Sequence, residues 1–215
     1  SIMPLQRLEY DRTPNAQSCQ PGRWHMTRSS RSKMAANREQ ILAAAMALFR
    51  ARGVTDVSIA EVMQRAGMTQ GGFYRHFVSK DALAAAACAA AFAEAEQAWR
   101  GGASEGEGHV TERLRAFYLR PRPAERTCPI LSFAADVRNA PDTLLAVAWR
   151  DGISRLVALY GDLTGVPPDI ARAGVAALAG ARLLGSGDAL LDDGAGAASF
   201  QDEPADCVQA RPEGK

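Results

Sequence analysis

The chain is 215 residues long, 47% hydrophobic and 23% charged, which suits one large globular domain or two small ones. Alanine is abundant, valine and isoleucine are scarce, strand-like alternation never persists, and no apolar run reaches the ~18 residues of a membrane span, so an all-α protein with no membrane partner is expected. The net charge of +1 conceals an asymmetry: Thr27 to Lys80 carries nine Lys/Arg against three Asp/Glu, and Asp81 to Lys215 thirteen against nineteen. A basic block joined to an acidic one fits a protein with one part that meets a polyanion, and chance fits it equally well.

Residues 1–34 are polar, rich in Pro, Ser and Arg and without periodicity, so they read as an extension that is either disordered or foreign to the native protein. The sequence opens on Ser1, which suggests trimming, a cloning scar or an overlong gene reading, with Met26 and Met34 as alternative starts. Helical order is expected from "ANREQILAAAMALFRARG", where Ile41, Leu42, Ala45, Leu48 and Phe49 form a stripe at helical period and Gly53 a stop. Ser58 and Glu61 fit a capping box that opens a short helix, burying Ile59, Val62 and Met63 and ending at Gly67. A second short helix starts at Met68 and Thr69 and must close by Val78; Ser79 then caps a long one that runs to the breaker Gly101-Gly102.

Beyond a loop, "VTERLRAFYLR" is stopped by Pro121 and Pro123, and "PILSFAADVRN" opens on Pro129 and stops before Pro141. The long amphipathic "DTLLAVAWRDGISRLVALYGDLTG", the small-residue-rich "PDIARAGVAALAGARLLGSG" and a weaker "DALLDDGAGAASF" follow. That gives about nine helices, in a smaller unit over 35–80 and a larger one over 81–200, with a flexible tail over 201–215. The four cysteines, Cys19, Cys88, Cys128 and Cys207, lie far apart without a CxxC, which favours a reduced, cytoplasmic setting over a disulfide framework.

Two short helices joined by a glycine turn, the second opening on small polar residues, form a helix-turn-helix pattern. Phe73 and Phe77 belong to its core rather than to base stacking, leaving Thr69, Gln70, Gly71, Gly72, Tyr74 and His76 mostly outward. Each glycine costs about 1 kcal/mol of helix propensity, but bare backbone there lets the chain approach DNA closely. Gln70 can pair with adenine, the Thr69 hydroxyl can reach a base or phosphate, and Tyr74, His76, Lys80 and Ser58 can hold the phosphate backbone. Taken singly these are weak signals: a capping box marks only a helix, Gly-Gly is more often a turn, and His76 or Lys80 may equally be solvated. Their joint order and spacing is the strong one.

The stretch "ILAAAMALFRARGVTDVSIAEVMQRAGMTQGGFYRHFVSKDALAAAA" resembles the N-terminal domain of the tetracycline-repressor (TetR) family of bacterial transcriptional regulators. The resemblance implies groove contacts at Thr69, Gln70, Gly71 and Gly72 and phosphate contacts at Tyr74, His76 and Lys80. One such unit reads only a few base pairs, so a homodimer on a palindromic operator is expected, released by a small-molecule effector; no cofactor or metal is expected. More faintly, "TCPILSFAADV" is similar to a branch of that family in which a Gly-Cys-Pro-like start opens the sixth helix, although Thr127 stands here where glycine is usual.

Among the large apolar residues of the second half, Trp99, Phe117, Tyr118, Phe133 and Trp149 are the candidate walls of an effector pocket, much of the set being ordinary core. Arg115, Asp136 and Arg150 are possible orienting groups, although surface positions suit each better. Cys128 sits at a helix start two residues from Arg126, which favours thiolate and a redox or electrophile sensor; a small packing residue is the plainer reading. The small residues from Arg172 to Gly185 suit either a dimer interface or close packing within the domain. An enzyme is not expected, since the three histidines have no metal-ligand spacing and no nucleophile elbow or phosphate loop is present. A ligand-binding or scaffold protein that keeps the fold without using DNA is the remaining alternative.

Overall fold

The stripe of Ile41, Ala45 and Phe49, each 0% exposed, is the reason the first helix packs where it does. It belongs to α1 (Arg28–Arg52) in a computed structural model that describes residues 28–191. The helix starts earlier than the apolar stripe because residues 31–36 are all exposed, so nothing apolar marks that end. The expectations placed on residues 1–27 and 192–215, including Cys19, Cys207 and the tail, lie outside the described residues.

The capping box forms: the Glu61 amide donates to Ser58 Oγ at 3.2 Å and the Ser58 amide to Glu61 Oε2 at 2.7 Å, opening α2 (Ile59–Arg65). Gly67 turns the chain with φ +70°, a left-handed conformation that costs glycine nothing. The expected second helix is a six-residue 3₁₀ segment, Gln70–Arg75. Two glycines in six residues and no side-chain cap leave an α-helical turn little support, so the segment tightens to i→i+3 bonds, such as Gly72 N–H to the Thr69 carbonyl at 3.1 Å. Phe73 and Phe77 lie 0% and 4% exposed with ring centroids 6.0 Å apart, pinning the segment to Met63 and α1.

Ser79 caps α3 (Lys80–Ser104), its hydroxyl accepting from the Ala82 amide at 3.0 Å. This helix runs through Gly101-Gly102, where a stop was expected. Gly102 serves a close approach instead: a Cβ there would lie 2.3 Å from Phe117 Cγ. Phe117 is on α4 (Val110–Leu119), which packs across α3. The expected single helix from Pro129 is two, α5 (Pro129–Ser132) and α6 (Ala134–Asn139), broken at Phe133 as its ring drops into the core at 0% exposure. The central pair is α3 with α7 (Leu144–Thr164), and α7 then packs on α8 (Pro168–Leu191). The last helix continues past Gly185 where a break was expected, since one or two glycines weaken a helix without ending it. Among the described residues the fold is thus all-α, eight α-helices and two short 3₁₀ pieces, and no helix is long and apolar enough to cross a membrane.

Candidate nucleic-acid interface and internal cavity

A glycine normally answers to a positive φ or to a neighbour too close for a side chain. Neither applies in the 3₁₀ segment. A Cβ on Gly71 would meet nothing within 4 Å, and one on Gly72 would make an ordinary 3.7 Å contact with Met63 Cε; neither residue has positive φ. Around them Thr69, Gln70, Tyr74 and Arg75 are exposed, Tyr74 by 71%. The Thr69 side chain makes no cap hydrogen bond, and Gln70 makes no side-chain bond among the described residues, so both polar groups are uncommitted.

The flanking residues differ in how free they are. His76 is half-buried, and its carbonyl accepts from Arg38, whose guanidinium lies 4.0 Å over the Phe77 ring. Lys80 is half-buried and reaches the Thr55 carbonyl at 3.5 Å, which brings it to the turn that precedes Ser58. Ser58 is exposed, but its amide and hydroxyl both serve Glu61, so a phosphate there would compete with a carboxylate. That carboxylate is held down at about 2 by the Ser58 amide, then by the Arg52 guanidinium and the Ser58 hydroxyl. Arg38 and Arg75 are further basic neighbours: Arg75 adjoins Tyr74 in the sequence, whereas Arg38 joins the segment only through the fold.

Residues of α3, α4, α7 and α8, with Arg50 of α1 and the segment from Arg122 to Pro129, line a cavity of about 250 Å³. Trp99, Phe117 and Tyr118 line it with Leu156 and Cys128, whereas Phe133 and Trp149 do not. Phe133 is consumed by the core, and the Trp149 indole faces the Ile130 carbonyl, to which its Nε1–H donates at 3.1 Å. Cys128 is a half-exposed free thiol that caps α5 with no side-chain hydrogen bond. Cys88 is fully buried, and that burial pushes its thiol up to about 12, which leaves it inert. Arg115 and Arg150 are exposed, away from the cavity.

Two acidic residues instead tie the halves together. Asp136 accepts from the Val54 and Thr55 amides at 2.9 and 3.0 Å and from the Thr55 hydroxyl at 2.9 Å, clamping α6 to the turn after α1. Asp81 accepts from the Leu144 and Leu145 amides at 3.0 and 3.3 Å, capping α7 from the first turn of α3. The third tie is Arg50, near the end of α1. Its Nε and Nη2 donate to the Thr127 carbonyl at 2.9 and 2.6 Å and its Nη1 pairs with Glu94 at 2.9 Å, and the same guanidinium is part of the cavity wall.

Residues 41–87 match the family model described as bacterial regulatory proteins, tetR family. Over 53 residues the chain is 40% identical to the uncharacterised HTH-type transcriptional regulator YdgC of Bacillus subtilis (strain 168), a stretch that spans 25% of this chain and 27% of that protein. Its structure is similar to that of a TetR transcriptional regulator from Chloroflexus aurantiacus J-10-fl, with 28% identity, 75% of this chain and 88% of that one covered, and a TM-score of 0.61. The reduced form of NemR from E. coli shares the fold at 24% identity and the same TM-score of 0.61, with 71% and 88% covered.

Proposed function

We propose that this chain, whose residues 41–87 match the TetR family of bacterial transcriptional regulators, is a repressor that binds a palindromic operator as a homodimer and leaves it when a small molecule enters the cavity. The observation that carries the DNA-binding part is the open space at Gly71. Nothing among the described residues requires glycine there, and the uncommitted Thr69 and Gln70 stand beside it, so a surface outside this fold accounts for the requirement. A groove floor that the main chain must approach is such a requirement. Thr69, Gln70, Gly71 and Gly72 then face bases, with Tyr74, His76 and Lys80 on phosphates and Ser58 the weakest of the set.

One such unit reads only a few base pairs, so two copies are needed on two half-sites. The outer face of α8 supports a dimer: Ile170, Leu183 and Leu184 are 52%, 62% and 73% exposed. Its small residues serve both roles, since a Cβ on Gly174 would lie 2.7 Å from the Tyr160 ring while Gly180 and Gly185 are open. The switch runs through Arg50: a ligand that draws its guanidinium from Thr127 and Glu94 shifts the end of α1, on which the recognition segment is packed. Cys128, in the same wall, is placed to report oxidation or alkylation through the same contacts.

A gel shift with the DNA that flanks the gene tests the reading. Specific binding is expected; Tyr74→Ala then weakens operator and random DNA alike, whereas Gln70→Ala lowers only the preference between them. Equal affinity of the wild-type protein for both DNAs would leave a ligand-binding protein of the same fold.

A further inference from the structure

The cavity has a charge balance that its apolar walls do not explain. The guanidinium groups of Arg50, Arg122, Arg126 and Arg182 border it against one carboxylate, Glu94. Glu94 is already paired with Arg50 at 2.9 Å, and Arg50 and Arg182 are also held by backbone carbonyls. Arg122 makes a long 3.4 Å bond to the Phe117 carbonyl and lies 4.5 Å over the Phe117 ring, and Arg126, at the exposed rim, makes no side-chain hydrogen bond among the described residues. Burial, and then the repulsion of Arg182, Arg120, Arg50 and Arg126, lower the pKa of Arg122. Such crowding of like charge is relieved by an anion.

The second observation is independent of charge. Tyr118 is 6% exposed, lines this cavity, and its hydroxyl has no hydrogen-bond partner. Burial, with the neighbouring Cys128 thiol, holds its pKa far above the usual phenol range, so it keeps its proton as a donor whose one neighbouring acceptor is that sulfur, a weak one. Trp99 and Phe117 supply flat apolar faces beside it.

We propose that this cavity takes a small aromatic or conjugated carboxylate, its charge met by Arg122 and Arg126, one oxygen by the Tyr118 hydroxyl, and its flat body by Trp99 and Phe117. The inference rests on the reading of the cavity as the effector site and specifies the chemical class of the effector. Size agrees: a cavity of about 250 Å³ has room for a single ring with its carboxylate. A planar carboxylate also matches the planar donor fork of arginine.

Calorimetric titration of the full-length protein, without DNA, with benzoate and cinnamate against benzamide and cinnamamide tests this. The acids are expected to bind at least about ten-fold tighter than the amides, the loss that follows from removing a charge-assisted hydrogen bond. Arg126→Gln, which breaks no internal hydrogen bond, is expected to weaken the acids by about the same factor and leave thermal stability unchanged; Tyr118→Phe is expected to weaken both acids and amides. Acid and amide binding equally, no binding of either acid at millimolar concentration, acid binding untouched by both Arg126→Gln and Arg122→Gln, or inorganic phosphate binding as tightly as benzoate would each overturn it. Because no DNA is present, such a failure is distinct from failure of the regulator reading, which the gel shift decides.

Discussion

Replacing Gly71 by alanine should push folding and DNA binding in opposite directions. In the free protein the new methyl meets nothing within 4 Å and the backbone is not in the left-handed region, so the substitution adds no strain. It removes conformational freedom from the unfolded chain and improves local propensity, worth about 0.4–1 kcal/mol. For a chain of this size that corresponds to a rise in Tm of roughly 1–4 °C. Against DNA the same methyl occupies the space through which the main chain approaches the bases. Loss of one or two base contacts at about 1–3 kcal/mol each weakens operator binding at least ten-fold. Thermal unfolding by circular dichroism and fluorescence anisotropy with labelled operator at one fixed salt concentration measure both arms. A higher Tm with unchanged operator affinity would refute the argument, because the glycine would then answer to nothing outside the molecule. A lower Tm would refute the premise that the space is open.

Gly152→Ala should destabilise by at least about 1–3 kcal/mol in urea titration, since its Cβ would lie 2.2 Å from the ring of Phe92, which is 0% exposed and has nowhere to move. Asp136→Ala removes three hydrogen bonds to one carboxylate and should cost about 1.5–3 kcal/mol, with Asp136→Asn recovering part of it in the same titration. Glu61 titrates at about 2 in the fold against an ordinary 4.5, a depressed carboxylate, so its capping contribution is complete above pH 4.5 and lost as pH falls through 2. The Tm advantage of the wild type over Glu61→Gln should therefore shrink across that window, and an advantage constant from pH 7 to pH 2 would contradict the assignment.

What the sequence discloses is what depends on near neighbours. The Ser58–Glu61 box, the Gly67 turn and the burial of Phe73 and Phe77 are set within a few residues, and the all-α class follows from composition and period. What it conceals depends on distant partners. Gly102 looks like a helix stop until Phe117 is seen lying on it, and Asp81 looks like an N-terminal helix acid until the amides of Leu144 and Leu145 reach it. Trp99, Phe117 and Tyr118 stand in the cavity while Phe133 and Trp149 do not, because periodicity gives a face and not the helix that will cover it. The arginines were the larger omission. Arg120, Arg122 and Arg126 fall within seven residues and were a legible basic cluster, but Arg50 and Arg182 join them only through the fold.

Arg50 also determines how strong the proposed switch can be. Coupling between an effector and DNA is commonly 1–3 kcal/mol, a five- to 150-fold change in affinity. Arg50 makes two bonds to the Thr127 carbonyl and one to Glu94, with a side chain only 6% exposed. Charge-assisted hydrogen bonds are worth about 1.5–3 kcal/mol when one partner is removed, so a ligand that breaks even one of them involves energy of the required size. No large motion within the bundle is needed, because Arg50 lies one residue from Phe49, which is packed in the same core as Phe73 of the recognition segment. The coupling is necessarily reciprocal: if a carboxylate on Arg122 and Arg126 loosens Arg50 and so weakens the grip on DNA, operator DNA weakens the grip on that carboxylate by the same factor.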